Sequence, residues 1–261
     1  MISAIGGLTV ALMTIVILIA GTTNGLAGFG FALVGTMALA TVIDPAMAVV
    51  FMIIPILAVN LSLVRDLSRE ELRTCSRRFG PLIGAALVGT VVGMAVLSRI
   101  PTGPLRVGLG LLTLGFVATT QRRIPLPEWS SGGIGTFAQT RVGMVGVGGI
   151  SGLLFGGTNV GVQFIAYLRS FDLSHGLFVG VVALVFLGLN GIRVGVAGLL
   201  GLYPSRMLLL TSIVAAVPAV VGVTVGKRLR VTASERSRRL VVLGLLTFVG
   251  LRLVGGGLGL I

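Results

Sequence analysis

Long stretches without a charged residue divide this sequence, and they constrain its fold more than any other feature. Six stretches contain no Asp, Glu, Lys or Arg: 1–43, 46–64, 79–98, 107–121, 142–168 and 207–226. Two more, 176–200 and 240–261, are interrupted only by Arg193 and Arg252. A helix needs about 20 apolar residues to cross a bilayer, and most of these stretches reach that length. The pattern predicts an all-α polytopic membrane protein.

Basic residues outnumber acidic ones, with 20 Lys and Arg against 7 Asp and Glu. In a soluble protein such an excess would indicate a nucleic-acid partner. Here the cations lie in short segments between the apolar stretches, which is the distribution that the positive-inside rule describes. We therefore expect the lipid bilayer as a partner and no nucleic acid.

The residue types that most metal and cofactor chemistry requires are scarce. The chain has one Cys, one His and one Trp. A single cysteine excludes a disulfide framework and a multi-cysteine metal site. We therefore expect no cofactor and no metal. No Lys or Arg precedes the first apolar stretch, so a cleaved signal peptide is not expected either.

Glycines and polar residues interrupt two of the apolar stretches. The segments are GTTNGLAGFGF at 21–31 and GGISGLLFGGTN at 148–159. Non-helical backbone at membrane depth is tolerated only where it is buried in protein or lines a wet cavity. Both segments are therefore interpreted as broken helices, with the turn at the glycines.

The two halves of the chain resemble each other. Five pairs of residues match in order, at offsets between 127 and 134. The pairs are Gly25/Gly152, Asp44/Asp172, Asn60/Asn190, Gly93/Gly226 and Thr113/Thr247. They predict a single membrane domain over 1–261, with repeat one at 1–121, a cytoplasmic linker at 122–141 and repeat two at 142–261. Chance matching in Gly-rich apolar sequence is the alternative.

The distribution of cations predicts the topology. If 142–168 crosses the membrane once, nine cations lie on each side, and such an even distribution does not follow the positive-inside rule. If it enters and leaves on the same side, 15 lie inside and 3 outside, as the positive-inside rule requires. We therefore expect two inverted repeats, each a re-entrant or broken helical hairpin followed by three transmembrane helices, with both termini outside.

The broken helices also predict where a ligand binds. Half-helices that point their N-termini at one spot offer free N–H groups and positive dipole ends to an anion. The candidate substrate-binding residues are Asn24, Gly25, Gly28, Gly30, Asn60, Ser151, Gly152, Gly156, Gly157, Thr158, Asn159, Gln163, Asn190 and Arg193. The alternative for each glycine is close helix packing, and for Asn60 and Asn190 a hydrogen bond that joins two helices.

Arg193 stands out because it lies near the middle of an apolar stretch, three residues after Asn190. A cation at membrane depth is costly and is by default a functional hypothesis. Its planar guanidinium suits an anion with several oxygens. The alternative is that Arg193 lies nearer the outer end of its helix and snorkels to the interface, as we expect for Arg252.

Three residues are candidates for proton coupling. Asp44 and Asp172 occupy matching positions after the broken segments, and His175 lies close to Asp172. The alternatives are that the acids cap the helices that follow and that the histidine is a solvated loop residue.

The glycine-rich segments GLAGFGFALVG at 25–35 and GGISGLLFGGTNVG at 148–161 resemble those of the TauE/SafE sulfite exporter family, and the resemblance covers nearly the whole chain. It implies a secondary transporter of the bacterial cytoplasmic (inner) membrane. The substrate would be sulfite, sulfoacetate or another small sulfur-containing anion, commonly moved outward by alternating access. Phe29 departs from the pattern, since a further Gly is often seen there, and this leaves the substrate's size open.

Three questions and two competing functions remain open at this stage. The coupling ion (proton or sodium), the direction of transport and homo-oligomer formation do not follow from the residues. An anion channel or uniporter of the same architecture is one alternative function. An intramembrane enzyme acting on lipid is the other, but the chain offers no paired acids at membrane depth, no Ser with a nearby His and no metal-ligand spacing. We therefore expect no enzymatic activity.

Overall fold

The computed structural model describes residues 7–27, 30–64, 73, 78–97, 99–120, 140–168, 171, 175–229 and 234–260, and over these ranges the chain is helical, with no strand. The helices of the first half are α1 (Gly7–Ala27), α2 (Phe31–Ala40), α3 (Pro45–Phe51), α4 (Ile53–Val64), α5 (Gly80–Leu97) and α6 (Thr102–Thr120). Those of the second half are α7 (Arg141–Thr158), α8 (Val162–Leu168), α9 (His175–Leu199), α10 (Arg206–Leu229) and α11 (Glu235–Gly257). The expected all-α architecture is confirmed for these residues.

Among the residues that the structure describes, four segments are long and apolar enough to cross a membrane: Pro45–Ser62, Gly80–Leu97, Arg206–Leu229 and Leu240–Gly257. Shorter apolar segments are Val10–Leu26, Phe31–Ala40, Thr102–Ala118 and Leu184–Leu199. The expected membrane-spanning character is confirmed. Residues 121–139, most of the expected linker, lie outside the described residues.

Both predicted helix breaks are present, but α1 and α7 continue further into the glycine-rich segments than expected. Helix α1 continues through Gly25 to Ala27, and α7 continues through Gly157 to Thr158. The expectation that the glycines of 148–157 form the turn was therefore wrong. Helix α7 is also longer than a half-helix, because 18 residues rise about 27 Å.

The chain forms two compact units. The first contains Met1–Val59, Pro101–Val117 and Pro204–Ile261. Within it α1 and α10 pack backbone to backbone: a Cβ at Gly21 would lie 2.7 Å from the Ala219 carbonyl oxygen, and one at Gly25 would overlap that of Val223. Gly222 and Gly226 face the α1 carbonyls in the same way. Such close approach is what glycine allows between membrane helices.

The second unit contains Asn60–Ile100 and Ala118–Tyr203, and its central contact joins α5 to α7. A Cβ at Gly152 would overlap the Ala86 carbonyl oxygen, and one at Gly156 would overlap that of Thr90. From the other side, a Cβ at Gly93 would overlap the carbonyl oxygen of Leu153. The Thr90 hydroxyl also donates a hydrogen bond to the Gly152 carbonyl, at 3.2 Å.

The two glycine contacts follow one pattern. Gly21 meets Ala219 as Gly152 meets Ala86, and Gly25 meets Val223 as Gly156 meets Thr90. These contacts relate α1 to α7 by 131 positions and α5 to α10 by 133. The same offset of 131 relates Ala27 to Thr158, the last residues of α1 and α7, and Phe31 to Val162, the first residues of α2 and α8. In these contacts Gly25 has the same place as Gly156 rather than Gly152, the residue paired with it on sequence one helical turn earlier.

Candidate functional site

The break between α7 and α8 is held by its own polar side chains. Asn159 ends α7 in the left-handed conformation, with φ 60° and ψ 7°, and its backbone N–H donates to the Phe155 carbonyl at 2.9 Å. The Thr158 hydroxyl donates to the Leu154 carbonyl at 2.6 Å and accepts from the Val160 N–H at 3.1 Å. Asparagine tolerates this conformation better than most residues. The turn is thus fixed by local bonds.

Gln163, in the first turn of α8, ties the two sides of this break together. Its side-chain amide donates to the Val160 carbonyl at 2.7 Å and to the Ser151 carbonyl at 3.1 Å. Ser151 itself is buried. The predicted candidates Ser151, Thr158, Asn159 and Gln163 therefore lie together around one turn.

Arg193 reaches this region from α9. Its side chain is 0% exposed, and Nη1 donates to Asn190 Oδ1 at 3.3 Å while Nη2 donates to the Gly156 carbonyl at 3.4 Å. The guanidinium carbon lies 5.0 Å from the centre of the Phe155 ring. Among the residues that the structure describes, Arg193 Nε has no hydrogen-bond partner.

Burial decides between the two interpretations of Arg193. A snorkelling side chain would place its charged end in the interface, but Arg193 is enclosed by α7 and α9. Arg252, by contrast, is exposed, as expected for a snorkelling arginine. The carbonyl end of α7 stabilises a cation through the helix dipole. Two long hydrogen bonds to neutral acceptors nevertheless leave a buried charge that an anion would satisfy better.

A cluster of three aromatic rings adjoins Arg193, and sequence reasoning missed it. Phe155 lies 6.5 Å from Phe164 and 5.2 Å from Phe186, and Phe164 lies 6.0 Å from Phe186. The side-chain amide of Asn190 donates to the Phe186 carbonyl at 2.8 Å, which fixes the orientation in which Asn190 Oδ1 faces Arg193. The available signal was the position of Phe155 and Phe164 on either side of the break.

The break in the first unit is built differently. Asn24 is buried in α1, and its Oδ1 accepts a hydrogen bond from the Phe31 N–H, the first of α2, at 3.1 Å. Gly30 precedes Phe31 with φ 103° and ψ −2°. Asn24 therefore caps α2 from across the break. Gly28, a further candidate, lies outside the described residues.

Each break joins the C-terminal end of one helix to the N-terminal end of the next, and so presents one helix N-terminus. The anion site expected from two converging N-termini stays a prediction. Any attraction for an anion at the α7–α8 break therefore depends on Arg193 rather than on two helix dipoles.

The packing alternative holds for three of the six candidate glycines. Gly25, Gly152 and Gly156 each face a carbonyl of the neighbouring helix, where a Cβ would overlap it. Gly157 is less crowded, since a Cβ there would lie 3.4 Å from the Gly93 carbonyl oxygen. These glycines bring the polar side chains close together by allowing the helices to touch.

Asp44 caps the helix that follows it, as its alternative interpretation predicted. Its Oδ1 accepts from the N–H groups of Ala46 and Met47 at 2.9 and 3.1 Å, and its Oδ2 accepts from the Thr102 hydroxyl at 2.9 Å. Asp172 lies outside the described residues. His175 is the first residue of α9, and Asn60 is a buried residue of α4. No group of three or more metal-ligating side chains occurs within the described ranges.

Gly30 provides a test of the first break. Gly30→Ala should lower the free energy of unfolding by about 1–3 kcal/mol, because a φ of 103° is strained for any residue with a Cβ. Thermal unfolding of the purified protein measures the change. Gly115→Ala is the matched control, since Gly115 is helical and open space surrounds it. Equal unfolding midpoints for the two variants would contradict a strained turn at Gly30.

Helices throughout the described residues, apolar segments long enough to span a membrane and a buried arginine indicate a polytopic membrane protein. Residues 13–253 match the family described as Sulfite exporter TauE/SafE, and the chain belongs to that family. The family is one of membrane transporters for sulfur-containing anions. No curated protein and no solved structure matches the chain.

Proposed function

We propose that this protein is a secondary transporter that exports a small sulfur-containing anion, such as sulfite, sulfoacetate or another sulfonate, across the bacterial cytoplasmic (inner) membrane by alternating access. The observation that supports this most is the buried Arg193 guanidinium beside the α7–α8 break. A buried cation in a membrane protein is costly and by default indicates a functional site. The family membership supplies the class of that anion.

The substrate in this proposal contacts the polar groups around one turn. Arg193 supplies the charge, and the Asn190, Asn159, Gln163 and Thr158 side chains border the same region of α7, α8 and α9. The guanidinium would exchange its long bonds to Asn190 and Gly156 for short charge-assisted bonds to sulfonate or sulfite oxygens. Coupling to a proton through Asp172 or His175, or to sodium, also remains a proposal.

The proposed architecture is a pair of inverted repeats, 1–121 and 142–261, within one domain. It is supported by the repeated glycine contacts and by the equal offset of both helix breaks. Many secondary transporters combine inverted repeats with broken helices at the substrate site. An odd number of crossings in each repeat would then put both termini on the same side, and the distribution of cations would make that side the outside.

Accessible cysteines test this topology. In a Cys75→Ser background, single cysteines at Ser130, Ser174 and Ser234 should be protected from an impermeant thiol reagent added outside. A cysteine at Ser205 should be labelled, because the cation distribution places the α9–α10 connection outside. External labelling at Ser174 would contradict the re-entrant arrangement of 142–168.

A ligand screen tests the proposed function itself. Sulfite, sulfoacetate, taurine, thiosulfate and sulfate are compared by thermal unfolding of the purified protein, since a ligand that binds the native state raises its stability. At 100 times its Kd, one such anion should add about 2.7 kcal/mol. Chloride at equal ionic strength is the control. Stabilisation by none of the five anions beyond the chloride effect would contradict the proposal.

A further inference from the structure

We infer that the site at Arg193 matches a single negative charge and therefore selects monoanionic sulfonates over dianions of similar size. This inference rests on the proposed function and narrows its substrate class. It distinguishes 2-hydroxyethanesulfonate, which carries one charge, from sulfoacetate, which carries two on a skeleton of nearly the same length.

The first argument is the number of charges. Arg193 is the one charged side chain among the buried residues that the structure describes. Its hydrogen-bond partners, the Asn190 amide oxygen and the Gly156 carbonyl, are neutral. The other described arginines of this unit, Arg73, Arg78, Arg99 and Arg141, are exposed.

The repeat does not supply a second cation. At the offsets of 130 to 133 that relate the two halves, Arg193 corresponds to one of positions 60–63, which are Asn, Leu, Ser and Leu. None of these residues is charged, so the halves differ in the arginine. A site with one guanidinium neutralises one negative charge, and the remaining charge of a dianion would lack an opposite charge.

The second argument is the environment of the guanidinium. One face of it lies over Phe155, and Phe164 and Phe186 pack against that ring. Apolar surroundings reduce the local dielectric constant, which strengthens the attraction between Arg193 and one anionic group. The same surroundings penalise an uncompensated second charge, because its hydration is lost without replacement.

The third argument is the hydrogen-bonding capacity. Arg193 Nε has no partner within the described part of the chain, and its two Nη bonds are 3.3 and 3.4 Å long. A guanidinium binds oxyanions in a fork that uses two N–H groups at once. Nε and one Nη can therefore hold two oxygens of a single sulfonate group. In this geometry the guanidinium binds one anionic group and no second one.

The experiment compares 2-hydroxyethanesulfonate with sulfoacetate for binding to the purified full-length protein at pH 7.5, by ligand-dependent thermal unfolding at constant ionic strength. We expect the monoanion to bind at least tenfold more tightly. Equal binding, or tighter binding of sulfoacetate, would overturn charge matching while leaving the transport function intact. Binding of neither, together with no stabilisation by sulfite, would contradict the proposed function and this inference with it.

Two variants identify the source of the selectivity. Arg193→Lys keeps the charge, so both anions should bind more weakly while the ratio of their affinities stays within about threefold of the ratio in the parent. Arg193→Gln should lose the preference, with both affinities falling at least tenfold. Arg252→Gln, at the exposed arginine of α11, is the control and should change neither affinity. If Arg193→Gln still binds both anions with the affinity ratio of the parent, the selectivity comes from other residues and the inference is overturned.

Discussion

Arg193→Gln should abolish saturable anion transport while the protein remains folded and inserted in the membrane. The guanidinium is the charged group buried beside the α7–α8 break, and glutamine offers neither a charge nor a planar fork. Arg193→Lys should retain part of the function, because it keeps the charge. The loss for lysine should be about 1.5–3 kcal/mol of binding free energy, the contribution of a hydrogen bond to a charged group, or roughly a 10- to 150-fold weaker Kd.

The measurements are substrate affinity by thermal unfolding and uptake by protein reconstituted in vesicles. Arg252→Gln is the matched control. Because Arg252 is exposed, its substitution should change the substrate affinity less than twofold. The unfolding midpoint without ligand separates loss of binding from loss of structure. An Arg193→Lys variant within about twofold of the parent affinity would reject the binding role and leave Arg193 as a tether between α9 and α7.

Gly93→Leu should strongly destabilise the second unit, because it inserts a side chain into the close α5–α7 contact. A Cβ at Gly93 would overlap the Leu153 carbonyl oxygen and approach the Gly157 backbone nitrogen to 3.1 Å. Both obstacles are backbone atoms of α7, so the leucine cannot be accommodated by moving a side chain. Overpacking of this kind costs about 1–3 kcal/mol or more. We expect a loss near 3 kcal/mol and a fall of roughly 10 °C in the unfolding midpoint.

The control for this change is Gly84→Leu, about two and a half turns earlier on the same α5 helix. Gly84 is exposed, and nothing lies within 4 Å of a Cβ built there. It should leave the unfolding midpoint within about 2 °C of the parent. Similar destabilisation by the two substitutions would contradict the close α5–α7 contact and suggest a general intolerance of leucine in this helix.

The sequence predicted the spanning helices and both breaks, because uncharged length and interrupting polar residues act over short distances along the chain. It also offered the role of Asp44 as a helix cap. The Asp44 side chain can accept hydrogen bonds from the start of a helix, and Pro45 is suited to be the first helical residue. These features depend on neighbours in sequence.

The position of each break and the pairing of residues between the two halves depend on contacts between distant segments. Gly21 and Gly25 are four residues apart, as are Gly152 and Gly156, so sequence alone allows two alignments that differ by one helical turn. The contacts of these glycines with α5 and α10 select the alignment that pairs Gly25 with Gly156. The glycines meet carbonyls of other helices, which explains why they continue the helix rather than end it.

Two further features followed from distant contacts as well. Pro55 lacks an N–H, so it cannot bond the Phe51 carbonyl four residues earlier. The Ser212 hydroxyl of α10 donates to that carbonyl at 2.6 Å. Likewise, the position of Arg193 over Phe155 joins residues from two helices. The spacing of residues along the chain predicts neither of these two contacts.

Solute counterflow tests the central claim, that this protein carries a small sulfur anion through a site containing Arg193. Vesicles containing the purified protein are loaded with unlabelled sulfite and diluted into radiolabelled sulfite, and internal label is followed over time. We expect a transient accumulation of label that saturates with external concentration and is absent for Arg193→Gln. Flux that rises linearly into the millimolar range without accumulation would indicate a channel, and flux equal to that of protein-free vesicles would contradict transport of this anion.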